Sequence, residues 1–251
     1  MWTRRSDAVI LRTRDHGESD RLVTFLAGGY GKLTGIAKGA RRSKKRFVNT
    51  LEPLSLVHLT FVERASAGLV RIDASELGNP FIALRQDLAR LGYASLGAEL
   101  VLELAPEREA NPALFALLAQ YLERLEAGGD PATLALLFQA RILNLSGFGP
   151  NLQLCPRCGK ESTVPGAWYF SISRGALLCP AHRAGGGIVL LSPGTILILR
   201  QAQRLPLEKL WRLRFHRQSR AECRTLLLGL IRHHLEKDLK SLSVLQQIGA
   251  L

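Results

Sequence analysis

The chain has 251 residues, of which 47% are apolar and 22% are charged, so it can bury a core and is not disordered throughout. Its 34 Lys and Arg side chains outnumber 21 Asp and Glu side chains, and the net charge of +13 favours a polyanionic partner over a small acidic substrate. No apolar stretch approaches the roughly 18 residues of a membrane span, and the apolar run behind the first two arginines is too short for a secretion signal. We therefore expect a cytoplasmic protein with no membrane partner.

The first 80 residues predict a domain of five strands. Apolar and polar residues alternate with a period of two over five short runs, separated by turn-prone segments such as HGES and GGYG. The predicted strands cover residues 8–12, 21–27, 32–38, 54–63 and 69–76. Five short antiparallel strands in about 70 residues are typical of a small closed barrel of the oligonucleotide-binding (OB) type, although other small barrels have the same number of strands.

A run of basic residues separates the third and fourth predicted strands. We call residues 38–46 the basic segment; its charged members are Lys38, Arg41, Arg42, Lys44, Lys45 and Arg46. Such a concentration of charge cannot pack into a core, so the segment is either a solvated loop or a surface for phosphate groups. Its position between barrel strands favours phosphate binding. Tyr30 and Phe47 are the candidates for stacking on bases.

From residue 81 onward the hydrophobic period becomes that of a helix. The predicted helices cover residues 81–91, 94–104, 112–126, 131–144, 192–203 and 219–240. Residues 149–191 are rich in Gly, Pro and Cys and interrupt this pattern. The sequence therefore predicts an α+β multidomain protein, in which an OB-type nucleic-acid-binding domain (residues 1–80) precedes an α-helical domain (residues 81–251) that is interrupted at 149–191 by a zinc-binding segment.

The zinc prediction depends on the spacing of four potential ligands. Cys155-Pro-Arg-Cys158 and Cys179-Pro-Ala-His182 are two C-x2-C/H turns with 20 residues between them. Each turn can hold one side of a metal ion, and together they supply the four ligands of a tetrahedral Zn²⁺ site. Four protein ligands leave no position for water, so we expect one structural zinc ion per chain. The alternatives are unrelated reduced cysteines with a chance histidine, or a redox CxxC pair, which the second turn disfavours.

The carboxy-terminal part carries further charge and one more cysteine. Residues 151–251 contain 15 basic and 5 acidic side chains. Five arginines, at positions 212, 214, 217, 220 and 224, either extend a phosphate-binding surface or form the solvated face of an amphipathic helix. Cys223 lies in a helical apolar pattern and is expected to be a packed thiol rather than a ligand.

Several stretches of this sequence resemble one bacterial family. HGESDRLVTFLA, GKLTGIAKGARR and FVNTLEP are similar to the amino-terminal barrel of the RecO family of DNA repair proteins, and RILNLSGFGPNLQLCPRCG is similar to the passage into that family's zinc segment. The resemblance covers the first 55 residues and residues 141–182. In the rest of the chain only the order of the predicted elements is similar. The chain departs from the family pattern at Lys45, where Ser is frequent, and at His182, where many members have Cys.

The resemblance implies a recombination mediator without enzymatic activity. Such a protein binds single- and double-stranded DNA, anneals complementary strands and, with its partner RecR, helps to load the RecA recombinase on single strands coated by the single-stranded-DNA-binding protein. It also implies docking of that coating protein's C-terminal tail, a location near the nucleoid and no small-molecule substrate. The DNA-binding residues that carry over are those of the basic segment.

Two other function classes fit parts of the sequence. A zinc-stabilised OB-fold protein that binds RNA or assists translation would use the same barrel and the same basic segment. A metalloenzyme is less favoured, because a fourth protein ligand closes the metal site to substrate. Competition between DNA and RNA oligonucleotides separates the first alternative from DNA repair.

Overall fold

The computed structural model describes residues 2–63, 68–162, 167–183 and 185–251. The chain forms two compact units, Met1–Gly129 and Asp130–Leu251, called here the first and second unit. No helix in the described ranges is both long enough and apolar enough to cross a membrane.

The first unit begins with five strands, as predicted. The first strand is much longer than its hydrophobic alternation indicated, because its ends carry charged residues on exposed positions. The other four agree with the predicted runs to within three residues at each end. The strands are β1 (Trp2–His16), β2 (Asp20–Ala27), β3 (Gly31–Ala37), β4 (Leu56–Glu63) and β5 (Val70–Asn79).

The strands pair in the order β1-β2-β3-β5-β4, and β4 pairs in turn with β1. Four of the pairings are antiparallel, but β3 and β5 are parallel, with Gly35 opposite Val70 and Ala37 opposite Ile72. The prediction of purely antiparallel strands was therefore wrong for this pair. The reason is topological: the long connection after β3 lets the chain cross over, so that β5 runs in the same direction as β3.

Alternate residues of the five strands point inward and form the core of the strand region. Phe25 and Phe61 meet edge to face at its centre, with ring centroids 5.6 Å apart. Inward positions include Ile10, Val23, Leu33, Val57 and Ile72, all almost fully buried. The period of two in the sequence is thus the pattern of a sheet with one buried face.

The strands are followed, among the described residues of the first unit, by helices α1 (Ile82–Gln86), α2 (Leu88–Leu104) and α3 (Pro112–Glu126). The predicted boundary between helices 81–91 and 94–104 was wrong, because the break between α1 and α2 lies at Asp87. The Asp87 carboxylate accepts a hydrogen bond from the N–H of Arg90 and so caps α2, which then runs without interruption. These helices belong to the same compact unit as the strands. The division of function at residue 80 stays a prediction.

The described residues of the second unit form five helices and a small sheet. The helices are α4 (Pro131–Leu145), α5 (Pro193–Arg204), α6 (Leu207–Leu210), α7 (Arg217–Leu235) and α8 (Lys240–Gln247). Helix α7 ends earlier than predicted, because Glu236 adopts a left-handed conformation with φ 52°. Within the interrupting segment, β6 (Trp168–Ser171) pairs on either side with β7 (Ala176–Leu178) and β8 (Ile188–Leu191).

Asp130 begins helix α4 and links it to α7. Its carboxylate accepts hydrogen bonds from the N–H and hydroxyl of Thr133, and Arg220 donates to it over 2.7 Å. Burial raises the pKa of Asp130, but the hydrogen bonds from Thr133 and the charge of Arg220 outweigh burial and lower it below its ordinary value of 3.8. The carboxylate therefore stabilises the folded state above that pH, and its contribution is lost as the pH falls through the lowered pKa.

We expect Asp130→Ala to lower the free energy of unfolding by about 1 kcal/mol at neutral pH, mainly through loss of the helix cap. The ion pair adds little, because both side chains are about half exposed. Urea unfolding monitored by tryptophan fluorescence should show this difference shrinking as the pH is lowered below 3.8, because the wild-type carboxylate becomes protonated as the pH falls through its lowered pKa. Asp130→Asn is the control, because it keeps an oxygen for the cap while removing the charge. A loss of unfolding free energy in Asp130→Ala that is the same at neutral and at acidic pH would contradict this account.

Candidate metal centre and basic surface segment

The first predicted metal turn is a compact knuckle. The N–H of Cys155 donates to the carbonyl of Lys160, and the N–H of Gly159 donates to the carbonyl of Cys155, both over 2.9 Å. Gly159 has φ 71°, a left-handed conformation that glycine adopts without steric cost. The turn therefore closes tightly enough to direct both of its cysteines to the same side.

The second turn follows strand β7. Cys179 precedes a single 3-10 turn over Pro180–His182, and the N–H of His182 donates to the carbonyl of Cys179 over 3.0 Å. Proline suits the first position of this turn, since its φ is fixed near the required value and no N–H is needed there. Cys179 is buried and His182 is half-buried.

The structure brings all four predicted ligands together. Their donor atoms lie within 4.8 Å of one another. The Sγ atoms of Cys158 and Cys179 are 3.7 Å apart, and Nδ1 of His182 lies 3.7 Å from Sγ of Cys155 and 3.3 Å from Sγ of Cys179. Ligands of a tetrahedral zinc ion are separated by about 3.4 to 3.8 Å, as follows from metal–ligand bonds of about 2.0 to 2.3 Å. The four residues can therefore hold a metal ion in tetrahedral geometry.

Backbone groups make one of these thiols unusually acidic. Burial raises the pKa of Cys155, but the N–H groups of Cys179, Arg157 and Cys158 point at its sulfur and lower the pKa to about 6. A thiolate is the form that binds metal. By contrast, burial and then Glu222 raise the pKa of Cys223 to about 12, as expected for the packed thiol that the sequence predicted.

The basic segment lies between β3 and β4 and is attached to the first unit at both ends. The N–H of Gly39 donates to the carboxylate of Asp20 over 2.8 Å, and the N–H of Arg41 donates to the carbonyl of Ser19 over 3.0 Å. At the other end, Phe47 is buried in the core of the strands. Because these attachments fix its backbone, the segment is a defined surface and not a free loop.

All six charged side chains of the basic segment are exposed, but their contacts differ. Arg42, Lys44 and Lys45 make no hydrogen bond or ion pair with any residue that the structure describes. Lys38 directly follows β3, and its carbonyl accepts a hydrogen bond from Arg46 over 3.0 Å. The first three therefore present their charges to solvent and to any ligand that approaches.

The remaining two arginines fold back on the protein. Arg41 lies 3.5 Å from the carboxylate of Asp15 and donates to the carbonyl of Glu18 over 3.2 Å. Arg46 donates to the Lys38 carbonyl and lies over the ring of Phe47, 5.0 Å from its centroid. These contacts use part of the hydrogen-bonding capacity of both guanidinium groups, but each remains exposed and charged.

Sequence reasoning missed two further exposed arginines of the strand region. Arg12 and Arg14 are exposed on β1, and Asp15, the partner of Arg41, follows directly. Exposed basic residues at a spacing of two on a strand would have indicated this face of β1.

The two residues predicted to stack on bases both contact the core of the strands. Phe47 was a wrong choice because it is buried, and Tyr30 packs edge to face on Phe61 with centroids 5.4 Å apart.

Comparisons with known proteins agree on one family. The amino-terminal family model "Recombination protein O N terminal" matches residues 1–81, and "Recombination protein O C terminal" matches residues 85–243. A DNA repair protein RecO from Syntrophobacter fumaroxidans is 45% identical over 248 residues, which cover 98% of each chain. The RecO of Myxococcus xanthus is 36% identical over 97% of each chain, and that of Pelotomaculum thermopropionicum is 35% identical over 98% of this chain and 94% of its own.

Proposed function

Since the chain belongs to the RecO family of DNA repair proteins, we propose that it mediates recombination by binding single- and double-stranded DNA and annealing complementary strands. With RecR it would promote loading of RecA on single strands coated by the single-stranded-DNA-binding protein, whose C-terminal tail it would also bind. Its place is then the cytoplasm, at the nucleoid. It needs no small-molecule substrate and performs no catalysis.

The observation that carries this proposal is the exposed charge of Arg42, Lys44 and Lys45. A DNA strand is a chain of phosphates, and cations without partners in the protein can bind it while displacing its counterions. The carbonyls that hold Arg41 belong to the turn between β1 and β2, a loop that OB folds use for oligonucleotides. The strand order β1-β2-β3-β5-β4, with its return to β1, supports an OB-type barrel.

Annealing follows from the same electrostatics. Two complementary strands repel each other, and a surface of net positive charge screens this repulsion and raises the local concentration of both. Contacts to phosphates do not read bases, so the surface leaves the base edges free to pair. No step of this mechanism requires nucleotide hydrolysis.

The metal cluster has a supporting role in this proposal. Three thiolates and one imidazole are ligands that Zn²⁺ prefers, and we assign one structural zinc ion to Cys155, Cys158, Cys179 and His182. Bound there, zinc would cross-link the two turns and supply no chemistry, because its coordination sphere would be full. The residues themselves position the turns that flank the small sheet of the second unit.

The test is annealing of complementary DNA oligonucleotides by the purified protein without ATP. We expect faster annealing than in buffer alone. Single-strand affinity should fall with salt at a logarithmic slope of about −3 to −4, which corresponds to about four to six phosphate contacts. An RNA strand of the same sequence should compete no better than DNA. Absence of annealing, or an affinity that does not depend on salt, would refute the proposal, and preferential competition by RNA would favour the RNA-binding alternative.

A further inference from the structure

Asp20 is an acidic residue that binds the backbone of the basic segment. It is the first residue of β2 and is half-buried, and its Oδ1 atom accepts a hydrogen bond from the N–H of Gly39 over 2.8 Å. The hydroxyl of Ser19 donates to the same oxygen over 3.1 Å. The carboxylate is therefore joined to a backbone group of the segment and not to the end of one of its charged side chains.

The charge of Asp20 opposes the function proposed for its surroundings. The hydrogen bond from Gly39 is the largest cause that lowers the pKa of Asp20 below its ordinary value of 3.8; burial opposes it, and the hydroxyl of Ser19 and the charges of Lys38 and His16 lower the pKa further. Asp20 is thus a carboxylate beside a surface proposed for phosphate groups. By charge alone, its removal should strengthen the binding of a polyanion.

The position of Gly39 determines the course of the residues that follow it. Gly39 has φ 68°, a left-handed conformation in which the chain turns into the single 3-10 turn Ala40–Arg42. The carbonyl of Gly39 accepts a hydrogen bond from the N–H of Arg42 over 3.2 Å. By holding Gly39, the Asp20 carboxylate holds the turn that carries Arg42 and leads to Lys44 and Lys45.

The other end of the basic segment is bound both to its start and to a strand. The guanidinium of Arg46 donates to the carbonyl of Lys38 over 3.0 Å. The carbonyl of Arg46 accepts a hydrogen bond from the N–H of Ser75 on β5 over 3.0 Å. The segment is therefore a closed loop, which Asp20 holds at Gly39 and β5 holds at Arg46.

We propose that Asp20 is a positioning residue for the binding of single-stranded DNA: it orders the basic segment, so that its loss weakens binding although a negative charge is removed. An ordered segment presents Arg42, Lys44 and Lys45 in place, whereas a loose segment has to be ordered by the strand at a cost in affinity. The inference rests on the proposed function, to which it adds a residue that acts through the backbone and need not contact a phosphate.

The first experiment compares two variants of equal charge. Asp20→Ala and Asp20→Asn both remove the carboxylate, but only Asn keeps an oxygen that can accept the N–H of Gly39. Binding to the full chain is measured by fluorescence anisotropy with a fluorescein-labelled poly-dT strand of about 15 nucleotides. We expect Asp20→Ala to bind about fivefold more weakly than the wild-type protein at 0.1 M salt, the effect of losing about one phosphate contact on average. Asp20→Asn should bind at least as tightly as the wild-type protein.

Glu18→Ala is the matched control for charge. Glu18 is exposed in the same turn between β1 and β2, and its carboxylate makes no hydrogen bond or ion pair with any residue that the structure describes. This variant loses the same charge as Asp20→Ala and leaves the hydrogen bond to Gly39 in place. Its affinity for the strand should equal or slightly exceed that of the wild-type protein.

A second experiment measures the order of the basic segment itself. Trypsin cleaves after Lys and Arg and has six sites in this segment, which a fixed backbone protects. Asp20→Ala should be cleaved within residues 38–46 several times faster than the wild-type protein, whereas Asp20→Asn and Glu18→Ala should not. Thermal unfolding of each variant checks that the fold is intact. Should Asp20→Ala fail to fold, Asp20→Ser replaces it, because its hydroxyl ends one bond short of the carboxylate oxygens.

The outcomes separate the positioning role from the proposed function. If Asp20→Ala binds the strand as tightly as Glu18→Ala, the positioning role is refuted. Equal weakening in Asp20→Asn and Asp20→Ala, or weaker binding without faster tryptic cleavage, would overturn it as well, because the loss would then not come from the hydrogen bond that orders the segment. Failure of the wild-type protein to bind any strand would instead refute the proposed function.

Discussion

Cys179→Ser should yield a protein that lacks its metal ion and has a strongly destabilised second unit. Sγ of Cys179 lies close to donor atoms of both turns, 3.7 Å from Sγ of Cys158 and 3.3 Å from Nδ1 of His182. Only three ligands then remain, with His182 alone in the second turn, so we expect the metal ion to be lost and with it the cross-link between the two turns. Zinc sites in finger peptides contribute about 10 to 16 kcal/mol, an upper limit here because the second unit also has an apolar core.

Metal content and stability should change together. Elemental analysis of protein purified without added metal should give about one zinc per wild-type chain and far less for Cys179→Ser. Urea unfolding should show a loss of several kcal/mol for the variant. His182→Cys is the matched control, because it exchanges one zinc ligand for another and should retain the metal. Wild-type protein with well under one equivalent of zinc, or Cys179→Ser with a full equivalent, would contradict the assignment.

The second large effect is expected from the basic segment. Replacing Arg42, Lys44 and Lys45 by Gln removes three exposed cations of the basic segment that make no hydrogen bond or ion pair with any described residue. If each contacts one phosphate, the slope of log affinity against log salt should change by about 2, and single-strand affinity should fall about 100-fold at 0.1 M salt. Annealing should slow in parallel. The fold should remain intact, because these side chains are exposed.

A control of equal charge separates this surface from the general effect of net charge. Arg212, Arg217 and Arg224 are exposed in the second unit, and their replacement by Gln also removes three positive charges. We expect a much smaller loss of affinity for this control. Equal losses in both triple variants would show that net charge, and not the basic segment, determines binding. Fluorescence anisotropy with the same labelled strand at several salt concentrations makes the comparison.

Within the basic segment, Arg41 and Arg46 should behave differently from the three unpartnered residues. Asp15 and backbone carbonyls already bind them, and Arg46 also covers Phe47. Any strand that recruits them competes with these contacts, so each contributes less to affinity than its charge indicates. The six cations cannot be distinguished from the sequence, because it does not show which of them lies within hydrogen-bonding distance of a carbonyl in a turn far along the chain.

Local patterns were sufficient for much of this protein. The period of two predicted the five strands, and proline at the first turn placed the start of helix α3 at Pro112 and of α4 at Pro131. The C-x2-C and C-x2-H spacing predicted the complete metal cluster, because each pair of ligands is fixed by its own turn and only the meeting of two turns depends on the fold. Short strands such as β7, of three residues, are too brief for any period to reveal.

The sequence by itself determined which residues are apolar at strand or helix spacing, which pairs can share a metal turn and where positive charge is concentrated, because each of these depends on neighbours in the chain. Only the tertiary structure decided the parallel pairing of β3 with β5, the burial of Phe47, the back-folding of Arg41 and the contact of Phe148 with His234. These features join residues that are distant in sequence. Such contacts contribute to the free energy of the protein only when the folded chain brings both partners together.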